Sequence, residues 1–320
     1  MKSSVLAIAA AALAGAIVSA SAQEFPNRTI KILVGFPAGG PSDVPARIIA
    51  DKMQKSIGQS VIVENKTGAA GQIALNEMLR QPRDGHTILL CSYIDPVNAL
   101  LYKKATYKLD DIAAVSLITK AYYAFTVPAD SPASDIKSFI AHAKAKQGAL
   151  NYGKVGTGSV TEILPRQFEK IAGFSMTGVT FRGTGPALQE VLAGRIDFAV
   201  SPIALAMPLA GEKKIKVIGV TSPERLAVAP EVPTLKEQGL PIVNYGWWGV
   251  CAANGVPKPV LAKLNEHVRA AVASPEFKSI MEKSGTIPTP SSPEEFAKQM
   301  ADTSKEFGAL LTELGINQIE

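Results

Sequence analysis

Three short stretches bring glycines, hydroxyls and a helix start together: GFPAGGPSD (35–43), NYGKVGTGSVTE (151–162) and TFRGTGPAL (180–188). Glycine lets a backbone approach a ligand without a Cβ in the way, and the first N–H groups of a helix have no partner inside it. Together with the positive end of the helix dipole, such a turn is a seat for an anion. In the first stretch, Ser42 stands at an N-cap position and Pro45 in the first helical turn, so the N–H groups of Asp43 and Val44 are expected to face a ligand. In the second, Ser159 and Glu162 have the spacing of a capping box. In the third, Pro186 is expected at the first helical position after Gly183-Thr184-Gly185. The hydroxyls of Ser42, Thr157, Ser159 and Thr184 add directional hydrogen bonds, and Lys154 and Arg182 add charge.

Any one of these turns reads as plain connectivity; three of them at strand ends read as a binding cleft. GKVGTGS lacks the GK[ST] ending of a phosphate loop, and no G-x-G-x-x-G follows a strand, so nucleotides fit poorly and carboxylates fit well. No G-x-S-x-G elbow is present, and Asp43 and Glu162 read as helix N-terminal acids rather than as an acid/base pair, Asp43 having i,i+4 spacing to Arg47. A secreted hydrolase is therefore the second reading behind a binding protein. His86, His142 and His267 lie far apart and form no metal motif, so neither metal nor cofactor is expected.

The elements that must hold these turns alternate strand and helix. TIKILV, VIVEN and HTILLCS, then LNYG, GVTF, IDFAVS and KIKVIGV, read as strands, with helices between them. From about Pro257 the spacing becomes helical. The fold class is α/β, and the arrangement expected is residues 23–123 and 247–320 as one lobe and 124–246 as the other. The chain would cross between them in YYAFTVP and GWWGVCA. Met1–Ala22, with one lysine, an apolar run and Ala20-Ser21-Ala22, reads as a cleaved export signal. Removing it takes one lysine from a formal net charge of +5. Charged residues are 19% of the chain and of both signs, with no basic run to suggest nucleic acid. Cys91 and Cys251 sit in apolar strand-like runs and read as buried thiols, a disulfide being left open.

These stretches carry a family resemblance. FPNRTIKILVGFPAGGPSDVPAR (25–47), VENKTGAAG (63–71), PRDGHTILL (82–90), LNYGKVGTGS (150–159), FRGTGPALQEVLAGRID (181–197) and VTSPERLAVAPEVPTLKEQGLP (220–241) resemble the Bug-type periplasmic receptors of tripartite tricarboxylate transporters. The resemblance implies a two-lobed, type II periplasmic-binding fold that closes on a small organic acid anion and presents it to membrane permease subunits. It implies a monomer, and no enzyme; a ligand sensor for a two-component system is a variant of the same reading. It maps ligand contacts onto Phe36, Pro37, Ala38, Gly39, Ser42 and Asp43, onto Gly156, Thr157, Gly158 and Ser159, and onto Thr184 and Gly185.

Two departures bear on the ligand. Glu162 stands where many members have histidine, and Val200-Ser201-Pro202 where many read Phe-Asp-Asn, so the wall at Ser201 has lost a negative side chain. Tyr93, Phe181 and Trp247, near strand ends, are candidates for stacking on a planar acid such as terephthalate, with internal packing as the alternative. Di- and tricarboxylates are the ligand class expected.

Overall fold

The structure, a computed structural model, describes residues 25–319, so the export signal lies outside the described residues. The chain begins with β1 (Ile30–Val34), α1 (Asp43–Ile57), β2 (Val61–Asn65), α2 (Gln72–Arg80), β3 (Thr87–Ser92) and α3 (Ile94–Leu101). The strands pair in parallel in the order β2-β1-β3. Burial explains the patterns: β3 lies inside the sheet and every residue of TILLCS is buried. In α1, Ala46, Ile49, Ala50 and Met53 form the apolar stripe that covers the sheet, and Gly58 ends the helix in the left-handed region, its N–H donating to the Gln54 carbonyl.

The 17-residue β4 (Ile112–Pro128) comes next, followed by α4 (Ile136–Ala145), β5 (Asn151–Lys154), α5 (Val160–Ala172), β6 (Thr177–Thr180), α6 (Thr184–Leu192), β7 (Phe198–Pro202), α7 (Ile203–Gly211) and β8 (Ile215–Val220). The chain returns through β9 (Tyr245–Ala253) and closes with α8 (Lys258–Ala273), α9 (Pro275–Lys283), β10 (Thr286–Pro288) and α10 (Pro293–Glu313). β4 serves both lobes. From Ile112 to Tyr122 it pairs antiparallel with β9, and from Tyr123 onward with β7 on one side and β8 on the other. The change of partners falls at Tyr122–Tyr123, inside the YYAFTVP run. β9, by contrast, lies wholly in the first sheet. The Thr221 hydroxyl ties the two crossing segments, accepting from the Tyr123 N–H at 3.0 Å and donating to the Asn244 carbonyl at 2.6 Å.

Each lobe has its own core. Phe125, Phe139, Phe168 and Phe198 pack ring against ring in the second, with centroids 5.1–6.0 Å apart. In the first, Trp247 meets Phe296 edge-on at 5.2 Å and its indole N–H donates to Thr303. α10 reaches both: Phe296 and Met300 join the first-lobe core, whereas Phe307 and Leu311 join Val97 and Leu101 of α3 against Val160, Ile163 and Leu164 of α5. The last turns of α10 and α3 thus pack with the second lobe, because their apolar stripes have no other surface to cover.

Cys91 and Cys251 form a disulfide, the alternative that the sequence leaves open. Register is the reason: Leu89 lies opposite Cys251 and Cys91 opposite Gly249, so the two cysteines are diagonal neighbours on one face, with Cα atoms 5.9 Å apart. The bond joins positions 160 residues apart. Replacing both cysteines by alanine should lower unfolding stability by about 2–4 kcal/mol. A urea midpoint that does not move, at unchanged slope, would show that the bond contributes nothing.

Asp95, in the first turn of α3, is buried; one of its carboxylate oxygens accepts the Ser92 N–H at 2.7 Å. Burial pushes its carboxyl up to about 7, against the smaller lowering by that hydrogen bond. The folded state therefore holds a proton that the unfolded chain has already released, so stability should fall as pH rises from about 4 through about 7. Asp95→Asn keeps an acceptor for Ser92 and should flatten this decline in melting temperature. A variant as pH-dependent as the parent would exclude Asp95 as its source.

Candidate functional site

The first turn spends most of its own donors. Gly40 donates to the Pro37 carbonyl, and the Gly40 carbonyl accepts the N–H groups of both Asp43 (3.0 Å) and Val44 (3.1 Å). The two donors that the sequence assigns to a ligand are thus consumed by the turn that starts α1. Ser42 does not cap the helix either: it has helical dihedrals and its buried hydroxyl accepts the Trp248 indole N–H at 2.9 Å. Among the described residues, the N–H groups of Ala38 and Ser42 have no hydrogen-bond partner, and Pro37, Ala38 and Gly39 are exposed at the tip.

Asp43 organises this turn from beneath. One carboxylate oxygen accepts the Gly39 N–H at 2.8 Å and Arg47 Nε at 2.7 Å, and the other accepts Asn65 Nδ2 at 2.9 Å. Asn65 Nδ2 also donates to the Phe36 carbonyl at 3.0 Å. Burial raises the Asp43 carboxyl, but the hydrogen bonds from Arg47, Gly39 and Asn65 outweigh it and hold it below the ordinary value. The predicted Asp43–Arg47 pair is present. Asn65 and Trp248 were missed by the sequence reading, since a lone Asn at a strand end and a Trp some 200 residues away carry no local signal. The Phe36 ring lies on Gly71.

The second turn repeats the device with different residues. Glu162, buried in the first turn of α5, accepts the Gly158 N–H at 2.8 Å and Lys154 Nζ at 2.5 Å. The predicted capping box does not form, because Glu162 reaches Gly158 instead of Ser159, and the Ser159 hydroxyl donates to the Gly156 carbonyl at 2.7 Å. Lys154, expected to offer charge to a ligand, is paired. Thr157 is exposed at the tip and Gly156 lies beside it. Gly158 has φ +72°, and a Cβ there would stand 2.6 Å from Leu101 Cδ2, so this second-lobe turn abuts α3 of the first lobe.

The third turn neighbours the second through the Phe181 N–H, which donates to the Lys154 carbonyl at 2.7 Å. α6 starts at Thr184, so Pro186 is its third residue and not its first, which leaves the N–H groups of Thr184 and Gly185 at the helix start. Gly185 and Arg182 are exposed and Thr184 is half-buried. Of the three candidate rings Trp247 is buried, whereas Tyr93 and Phe181 are half-buried. Phe181 packs over Gly153 and the α6 core, Trp247 is internal, and Tyr93 lies against Phe307 with its hydroxyl bonded to Tyr123. Ser201, at the end of β7, is fully buried and its hydroxyl has no partner among the described residues.

Two open concavities lie elsewhere, one of about 500 Å³ beside Lys144, Glu169 and Phe174, the other of about 340 Å³ beside Asp110, Asn254 and Met300. Neither gathers N–H groups and hydroxyls as the three turns do. Among the described residues no cluster of three or more His, Cys, Asp or Glu is arranged to hold a metal ion, and no helix is long and apolar enough to cross a membrane.

Residues 45–316 match the model of the tripartite tricarboxylate transporter family receptor. A UPF0065 protein from the tcbD–tcbE intergenic region of Pseudomonas sp. strain P51 is 33% identical over 316 residues, 97% of this chain and 94% of the relative. Among solved structures, MatC (Rpa3494) from Rhodopseudomonas palustris with bound malate is 31% identical, with a TM-score of 0.78 over 90% of this chain and 100% of that one. R. palustris Rpa4515 with adipate is 25% identical, with a TM-score of 0.84 over 92% and 100%. The two-lobed α/β architecture is that of the periplasmic binding proteins, and the chain belongs to the tripartite tricarboxylate transporter receptor family, whose members are solute-binding receptors and not enzymes.

Proposed function

We propose that this receptor captures a small aliphatic dicarboxylate between its lobes and delivers it to the permease subunits of a tripartite tricarboxylate transporter. The observation that carries the reading is the pairing of seats: unspent N–H groups at the first turn on one lobe, and at the second and third turns on the other. Each carboxylate of a ligand then rewards closure separately. The contacts proposed are Phe36, Pro37, Ala38, Gly39 and Ser42 from the first turn, Gly156, Thr157 and Ser159 from the second, and Thr184 and Gly185 from the third. Asp43, Gly158 and Lys154 support them from behind. Relatives solved with malate and with adipate support a ligand with two carboxyl groups. Burial of Trp247 takes one of the three candidate rings away from an aromatic acid.

Closure is proposed as rotation of residues 124–246 against 23–123 and 247–320, with Tyr122–Tyr123 and the segment before β9 as the pivot. Rotation slides the second lobe past α3 and the end of α10, which pack against α5. Export of a monomer through the Met1–Ala22 signal places the receptor in the periplasm, an oxidising compartment that suits the Cys91–Cys251 bond.

The test is thermal stability of residues 23–320, refolded to remove co-purified ligand, against aliphatic and aromatic carboxylates. An acid at about 100 times its Kd should add roughly 2.7 kcal/mol, raising the melting temperature by several degrees. No shift with any acid, or turnover of an ester panel, would overturn the reading. Gly39→Val provides a second check. Gly39 has φ +76° and open space around its Cβ position, so the substitution strains the loop without a clash. Binding should weaken at least about tenfold at an unchanged circular dichroism spectrum, a loss of roughly 1.4 kcal/mol or more.

A further inference from the structure

Both proposed seats contain a buried acid, which is unexpected for surfaces that receive anions. In each lobe the acid stands four residues after a glycine of positive φ and accepts its N–H at 2.8 Å: Asp43 from Gly39, Glu162 from Gly158. In each lobe one cation answers the acid, Arg47 from the next turn of α1 and Lys154 from the end of β5. The exposures differ. The Arg47 side chain is half in solvent, whereas Lys154 is 19% exposed and Glu162 6%. A charge in solvent is screened by salt, while a charge this enclosed is not. The net charge beneath the second turn is therefore decided by Glu162 and Lys154 together. Arg182, exposed on the neighbouring turn, acts through solvent and contributes to steering.

Resting on the carboxylate-receptor reading, we infer that Glu162 is a specificity-determining residue that makes the second-lobe seat electrically neutral. The seat then holds a carboxylate by N–H and O–H dipoles, with no net charge beneath it to favour a dianion such as sulfate or phosphate. Glu162 acts through its neighbours. One of its oxygens occupies the Gly158 N–H, which withdraws that donor from the ligand, and the other occupies Lys154, which withdraws the positive charge. What remains for a ligand is the N–H of Thr157 and those of Thr184 and Gly185, together with hydroxyls. Neutral donors of this kind bind one carboxylate well, because it brings a single delocalised charge. A net positive charge would reward a dianion more than a singly charged group, and the neutral seat withdraws that bias.

The experiment is calorimetric titration of malate, adipate, sulfate and phosphate into wild type, Glu162→Gln, and Glu162→Gln combined with Lys154→Met. Each is run at about 0.01 M and about 1 M salt, over which the screening length falls from about 30 Å to about 3 Å. Wild type should bind a dicarboxylate with an affinity that changes by less than about twofold between the two, and should bind sulfate and phosphate more weakly than the dicarboxylate. Glu162→Gln keeps an acceptor for Gly158 and releases Lys154. It should bind the dicarboxylate about tenfold more tightly at low salt, keep most of that gain at high salt because Lys154 is enclosed, and bind sulfate and phosphate more tightly than wild type does. The double variant removes both charges and should return to wild-type affinity and anion preference.

A Glu162→Gln protein with wild-type affinity and salt dependence would overturn the inference. So would one whose binding weakens equally at both salts, since that is what a purely structural role predicts. Both results leave the receptor reading intact. Failure of wild type to bind malate or adipate at either salt would instead overturn the receptor reading for these acids, and the inference with it.

Discussion

The ladder of β4 is the constraint on which the rest of the molecule depends. One strand pairs with β9 along its first part and with β7 and β8 beyond Tyr122, so the two sheets share a backbone and cannot slide independently. A slip of one residue would turn every side chain of β4 to the opposite face. Phe125 would leave the aromatic core of the second lobe and Val115 and Ile118 the core of the first. Register in one lobe is thereby bound to register in the other. The Thr221 hydroxyl fixes the returning chain to the same point, so the crossing is narrow and placed at the level of the strand ends.

Those strand ends hold the turns, and hydrogen-bond accounting decides what the turns can do. A backbone N–H at a helix start is a ligand donor only if nothing in the protein claims it. At the first turn Gly40 claims two and Asp43 claims one, leaving those of Ala38 and Ser42. At the second, Glu162 claims that of Gly158. The internal bonds hold each tip in one shape before a ligand arrives, which lowers the ordering cost of binding. Fewer donors, held rigidly, serve recognition better than many donors on a loose loop.

The two lobes reach this result with different residues. An aspartate answered by an arginine one turn along the helix does in the first lobe what a glutamate answered by a lysine from the strand does in the second. The shared feature is geometric: an acid in the first turn of a helix, four residues after a glycine in the left-handed region. The cation can come from any element that reaches the acid. No fixed-period repeat in the sequence reports this correspondence.

By itself the sequence determined the local matters: alternation of strand and helix, the three glycine turns and the i,i+4 pair of Asp43 with Arg47. These depend on side-chain periodicity and on neighbours a few residues apart, which a chain displays in order. The tertiary structure decided whatever rests on a choice among partners. Cys91 could meet Cys251 only once β3 and β9 were in register, and Trp248 found Ser42 across more than 200 residues. Glu162 had the spacing to cap Ser159 and turned to Gly158 and Lys154. Trp247 had the size to line a ligand and is buried in the first-lobe core instead. A polar group takes the best partner that folding brings within reach, and spacing along the chain does not reveal which one that is.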